Sequence, residues 1–218
     1  AASDVYKRQV IVAAMMSNVY VSSGMAHGYK PTNKFVLITE VDSDQHMVKK
    51  MNNMGAVKAY SQLTNIPEKD IKKNTTDVCV KYPLGLLDPT GDYWLRVPGV
   101  AVFDSLYMAA RVVPGSVFHL MKGEKSDVLN ACKDAVEDAM KVVENRNIAF
   151  ALIFSCALRE KTLGRDVQKE IDILKKHLKN VPITGFYSFG EFGGTKGKRF
   201  GFHNQTVTVV IFSDDIMV

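Results

Sequence analysis

The stretch that most limits what this chain can fold into lies between residues 126 and 189, where two helical patterns alternate with two short apolar runs. From 126 to 143, Val128, Leu129, Cys132, Ala135, Val136, Ala139, Met140 and Val143 recur at three- and four-residue spacing. That spacing lays one apolar stripe along a helix, and Ser126 stands where an N-cap is expected. The run 148–154 is continuously apolar and short, as a buried strand requires. Residues 166–179 repeat the helical pattern with Val167, Ile171, Leu174 and Leu178 on one stripe, and 181–189 reads as strand again. Strand, helix, strand is a crossover unit, so its two strands run parallel with the helix on one sheet face. After a glycine-rich connection (Gly190, Gly193, Gly194, Gly197, Gly201), 206–212 supplies a β-branched last strand. Its simplest placement is antiparallel, beside 181–189.

The first half reads differently. β-Branched and apolar runs at 10–14, 19–21 and 35–38, broken by Gly24, Gly28 and Pro31, predict strands. A helix is expected over 44–53 and a second over 56–63, stopped by Asn65-Ile66-Pro67, with 64–75 as a polar loop. Short strands at 93–97, 101–103, 106–111 and 116–121 are separated by Pro98-Gly99, Asp104-Ser105 and Pro114-Gly115, which predicts an antiparallel meander. The expected fold class is α/β in the mixed, α+β sense. It is a sheet with parallel and antiparallel parts, with the helices 126–144 and 166–179 packed on it.

Bulk properties exclude several functions. With 46% hydrophobic and 23% charged residues, the composition is that of a globular protein. No run approaches the roughly 18 to 20 apolar residues of a membrane span, so no membrane partner is expected. Cys79, Cys132 and Cys156 form no C-x-x-C pair, which points to a reducing, cytoplasmic setting. The net charge of +5 is spread over scattered pairs such as Lys49-Lys50 and Lys175-Lys176. Nucleic-acid binders gather basic charge on one face and interleave aromatics with it, so no nucleic acid is expected either. His27 and His46 lack ligand-like spacing, and no phosphate-loop text occurs; neither a metal nor a cofactor is expected. Residues 4–9 (DVYKRQ) resemble a translated transposon end used in DNA library preparation, so 1–9 are expected to lie outside the fold.

Topology brings the chemistry to one place. Strand 148–154 ends at Ser155 and Cys156, strand 181–189 ends at Tyr187 to Glu191, and the last strand begins after His203, Asn204 and Gln205. In open α/β sheets, ligands sit at the carboxyl ends of strands. These segments read FSCALREKTLG (154–164), ITGFYSFGEFG (183–193) and FHNQTVTVVIFS (202–213). In order and spacing they resemble the C-terminal domain of the FIST family, with its F-S-C-x-x-R, G-F-Y-x-x-G-E and H-N-Q-T texts. HGYKPTNKFVLITEVD (27–42) is similar to the end of that family's N-terminal domain, with Tyr29 where tryptophan is commoner. KKMNNMGA (49–56) departs from the family's I-D-G-x-P-A.

The resemblance divides the chain into an N-terminal-domain tail (10–42), a C-terminal domain (43–213) and the start of a linker (214–218). It implies an intracellular sensory input domain for signal transduction, in bacteria typically fused to an output signalling domain on the same chain. The partner it implies is a small-molecule ligand, with amino-acid-like molecules among the candidates. The residues placed to hold it are Ser155, Cys156, Arg159, Tyr187, Gly190, Glu191, His203, Asn204 and Gln205. Arg159 suits a ligand carboxylate or a pairing with Glu191. Cys156 with His203 leaves open a cysteine-dependent hydrolase or transferase, although non-catalytic binding is the primary reading. A protein-interaction scaffold is a third possibility.

Overall fold

The computed structural model describes residues 15–193 and 200–216. Residues 1–9, the run 10–14 and Gly194 and Gly197 of the glycine-rich connection lie outside the described residues. β1 (Val19–Ala26) belongs to one sheet, whereas β2 (Lys30–Val41), β3 (Met47–Met51) and β4 (Met54–Gly55) open another. The expected helix over 44–53 is thus a hairpin. Asn52 and Asn53 both adopt positive φ (50° and 60°), the geometry of a tight two-residue turn, and Val48 and Met51 point into the core.

Three short helices follow: α1 (Ala56–Thr64), α2 (Glu68–Lys73) and α3 (Thr75–Cys79). Asn65, left-handed at φ 59°, ends α1 as expected. The segment read as a 64–75 loop instead contains α2, begun by Pro67 and anchored by buried Ile71. β5 (Leu84–Leu87), β6 (Tyr93–Arg96), β7 (Pro98–Val102), β8 (Ser105–Met108) and β9 (Val117–Lys122) complete the second sheet. Its order is β6-β5-β9-β2-β3-β8-β7, with β4 on β3. Only β7 and β8 of the expected meander are hairpin partners; β6 pairs with β5, and β9 lies between β5 and β2. Proline-glycine punctuation marked the strand ends but not their partners, which long-range pairing decides.

The crossover unit comprises α4 (Lys125–Val142), β10 (Ile148–Cys156), α5 (Ala157–Leu163), α6 (Gln168–Leu178) and β11 (Ile183–Ser188). The N-cap of α4 is Glu124, not Ser126, because Glu124 and Asp127 make a reciprocal capping box. β12 (Glu191–Gly193) and β13 (Gly201–His203) form a small antiparallel pair, and β14 (Val207–Ile216) ends the described chain, taking 214–216 into a strand.

β10 and β11 are parallel neighbours, as expected. β14, however, lies antiparallel between β1 and β10, not beside β11. The reason is burial: residues 207–213 are buried except half-buried Val210, so this strand takes the centre of the sheet. β11, carrying Thr184, Gly185 and Tyr187, takes the edge. The sheet is mixed and helices cover one face, so the expected fold class holds.

That face is sealed by α4, whose Ala131, Cys132, Ala135, Val136 and Ala139 are fully buried. The small side chains let α4 sit directly on β1. A Cβ at Gly24 would fall 2.0 Å from Ala135 O, and Ser22 Oγ donates to Ala139 O at 2.7 Å. Gly24→Ala should therefore push α4 off the sheet, costing about 1–3 kcal/mol. A urea midpoint unchanged from that of the parent would contradict this packing.

Candidate functional site

Cys156 ends β10, and α5 begins at the next residue, so Arg159 points back under the sheet's carboxyl edge. Arg159 is fully buried. Its Nε donates to Glu170 Oε1 at 2.9 Å, and one terminal nitrogen donates to the same oxygen at 2.5 Å and to Val128 O at 2.8 Å. The other terminal nitrogen donates to Gln205 O at 3.4 Å. One guanidinium thus ties α5 to α4, to α6 and to the entrance of β14. Its partner is Glu170, not the Glu191 that the sequence offered, because α6 carries Glu170 inward on the buried side of the helix.

Glu170 has a second oxygen. Its Oε2 accepts from Ser155 Oγ at 3.3 Å and from Tyr187 OH at 3.4 Å, both long bonds. These three groups close the inner end of a cleft of about 490 Å³ between α6 and β11. Its walls are largely apolar, with Ile153, Ile171, Leu174, Ile183, Phe186 and Val207, and Lys175 stands at the rim. A volume of that size suits a small ligand, and apolar walls around a few convergent polar groups are what such sites present. The cleft exists because α6 packs chiefly on α4 instead of on the strands. Of the nine residues singled out from sequence, Ser155 and Tyr187 line it.

The other seven form its underlying framework. Glu191 is buried and accepts from Ser188 Oγ at 2.7 Å and from Thr206 Oγ1 at 2.8 Å. Burial raises its carboxyl pKa against those hydrogen bonds and one from Cys156. Gly190 has no room for a side chain, since a Cβ would fall 2.1 Å from the Phe202 ring. Gln205, left-handed at φ 58°, donates to Val80 O at 3.2 Å, and the single proton of Tyr29 OH is shared between Gln205 Oε1 and Val80 O. Asn204 is fully buried; its Nδ2 donates to His203 O, while its Oδ1 has no hydrogen-bond partner among the described residues.

His203 rests on the Trp94 indole, ring centroids 5.1 Å apart, and burial lowers its pKa to about 4. His27, beneath it, accepts from Tyr29 N at Nδ1 and donates from Nε2 to Tyr93 O at 3.1 Å, which fixes it neutral. Its pKa is likewise about 4, through burial. Cys156 is buried beside the Glu191 carboxylate; burial first, and that charge next, push its thiol up to about 12. Such a thiol is protonated at neutral pH and is a poor nucleophile. No hydrogen bond joins it to His203 among the described residues.

Sequence reasoning missed Glu170, Trp94, and the part played by Tyr29. Glu170 carried a signal, because it falls four residues before Leu174 and eight before Leu178, on the apolar stripe itself. Trp94 carried none, since it reaches the site through the second sheet. No group of three or more His, Cys, Asp or Glu side chains is placed to hold a metal among the described residues.

Comparison with known families agrees with the texts that end β10 and β11. The FIST C domain family model matches residues 56–194, which include 154–164 and 183–193. No curated protein matches the chain.

Two outcomes test this electrostatic picture. Iodoacetamide at pH 7.5 should label Cys156 far more slowly than a free thiol and readily only after unfolding; labelling at the free-thiol rate in the folded protein would contradict the raised pKa. For His27 and His203, the folded pKa near 4 lies below the unfolded value of 6.5, so the unfolded chain binds more protons between those limits. Stability should fall as pH drops from about 6.5 toward 4. His203→Gln should flatten part of that slope in pH-dependent urea titrations. An equally steep profile in the variant would show that His203 does not titrate as described.

Proposed function

Because this chain belongs to the FIST C domain family, we propose that it is a sensory module whose small ligand occupies the cleft between α6 and β11. The observation that carries this reading is the inner end of that cleft. A buried carboxylate is fixed there by Arg159 on one oxygen and only loosely engaged by Ser155 and Tyr187 on the other. A ligand ammonium or N–H group offers Glu170 Oε2 a shorter bond than either hydroxyl does, while an apolar body lies against Ile153, Ile171 and Leu174. An apolar amino acid or close analogue has that shape, with Lys175 available to its carboxylate at the rim. Cys156, Gly190, Glu191, His203, Asn204 and Gln205 hold the sheet edge beneath the ligand and perform no chemistry.

Occupancy would move α6, the wall least tied to the strands, and α6 bears on α4. That displacement is the signal passed to an output domain on the same polypeptide. Cys79, Cys132 and Cys156 are all unpaired and buried, which suits a reducing cytoplasm. Among the described residues, no helix is long and apolar enough to cross a membrane.

Calorimetric titration with a panel of free amino acids tests the reading. A charge-assisted hydrogen bond contributes about 1.5–3 kcal/mol, so loss of the Glu170 contact should weaken binding roughly ten- to a hundredfold. Ile171→Arg, on the partly exposed wall, should abolish binding while leaving the fold intact. A ligand bound equally by the parent and by Ile171→Arg would place the site elsewhere.

A further inference from the structure

The cleft has a feature that a compact ligand leaves unused. Among the described residues β11 is the edge strand of its sheet, so the backbone groups on the side away from β10 face outward along the mouth of the cleft. Edge strands are ordinarily protected by charge, proline, a bulge or a covering element. β11 has none of the sequence devices: Ile183–Ser188 reads ITGFYS, without a charge or a proline. Its register with β10 is continuous from Ala151↔Ile183 to Cys156↔Ser188, so no bulge turns the edge away. Thr184 through Tyr187 are exposed, and Phe186 is 66% exposed.

The cleft lies beside this edge, walled by α6. Gly185 faces its floor, where a Cβ would fall 1.8 Å from Ile153 O, so no side chain of β11 can fill that position. A groove between an exposed strand edge and a helix is the arrangement in which an extended peptide adds a strand and drops alternate side chains into pockets. Charge is placed to match. Lys175, with no ion-pair partner among the described residues, lines the end near Ile183, and Tyr187 with Glu170 lines the other.

Resting on the proposed cleft, we infer that its occupant is an extended peptide segment that pairs with the free edge of β11. One apolar side chain enters the cleft above Gly185, the next points to solvent, and a carboxylate reaches Lys175. The compact amino acid is then the minimal fragment of this ligand, meeting Glu170 and the apolar walls without pairing along β11.

A random heptapeptide library selected on the protein, with Ile171→Arg as counter-selection, tests this. Expected are peptides with one fixed apolar anchor, variable residues on either side of it, and an acidic residue or free carboxylate at one end. N-methylating alternate amides of a selected peptide should weaken binding at least tenfold in one of the two registers, because only one set of amides faces β11. Lys175→Glu should weaken it severalfold. If N-methylation in both registers has no effect, or nothing is enriched over the counter-selection while free amino acids still bind in the parent alone, the cleft takes a compact ligand and the peptide inference fails. If neither peptides nor amino acids discriminate the parent from Ile171→Arg, the cleft reading falls with it.

Discussion

A single buried guanidinium organises this molecule. Arg159, fully enclosed, meets Glu170 from α6, Val128 O from α4 and Gln205 O at the entrance to β14. A buried charge with its partner removed costs about 3–5 kcal/mol, so neither side chain is replaceable alone. The pair also solves a packing problem. α6 bears on α4 through Leu174 and Leu178 yet stands off β11; Arg159 holds Glu170 on the α6 side, and Tyr187 OH reaches across the wedge to Glu170 Oε2. The open part of that wedge is the cleft.

The site therefore inherits its character from a compromise in layer packing. Small residues along α4 and Gly24 on β1 let helix and sheet approach closely at one end. At the other end, β11 lies at the edge with its side chains exposed, and polar groups appear where a second helix would otherwise press on the strand. Around that opening the supporting groups are held neutral or tightly bonded. Cys156 is kept as a thiol, His27 and His203 as neutral imidazoles, and Glu191 is enclosed by Ser188 and Thr206. This is the electrostatics of a rigid floor.

Much of this was legible in the sequence. Helical and strand periods from 126 onward located α4, β10, α6 and β11, and the crossover rule gave the parallel pair. Ser155, Cys156, Tyr187 and Glu191 were correctly brought to one sheet edge, because strand ends follow directly from topology. What was not legible depended on competition among strands. β14 went to the centre because its residues 207–213 demand cover, which a hairpin argument does not weigh. The 44–53 segment became a hairpin because two asparagines accept positive φ, although its spacing also suits a helix. Of the two partners the sequence offers Arg159, a ligand carboxylate or Glu191, neither is the one it meets in the fold, which is Glu170. Glu191 stands within the family pattern, whereas Glu170 shows only as a charge on an apolar helix stripe.

The Arg159–Glu170 pair holds the floor of the cleft as one coupled unit. A double-mutant cycle of Arg159→Met and Glu170→Leu, read by urea unfolding, tests it most directly. Each single variant should lose about 3–5 kcal/mol, and the double variant should lose far less than the sum, because two apolar side chains of similar size leave no stranded charge. Single losses below about 1 kcal/mol that add in the double variant would contradict the account, since the pair would then be incidental to the fold.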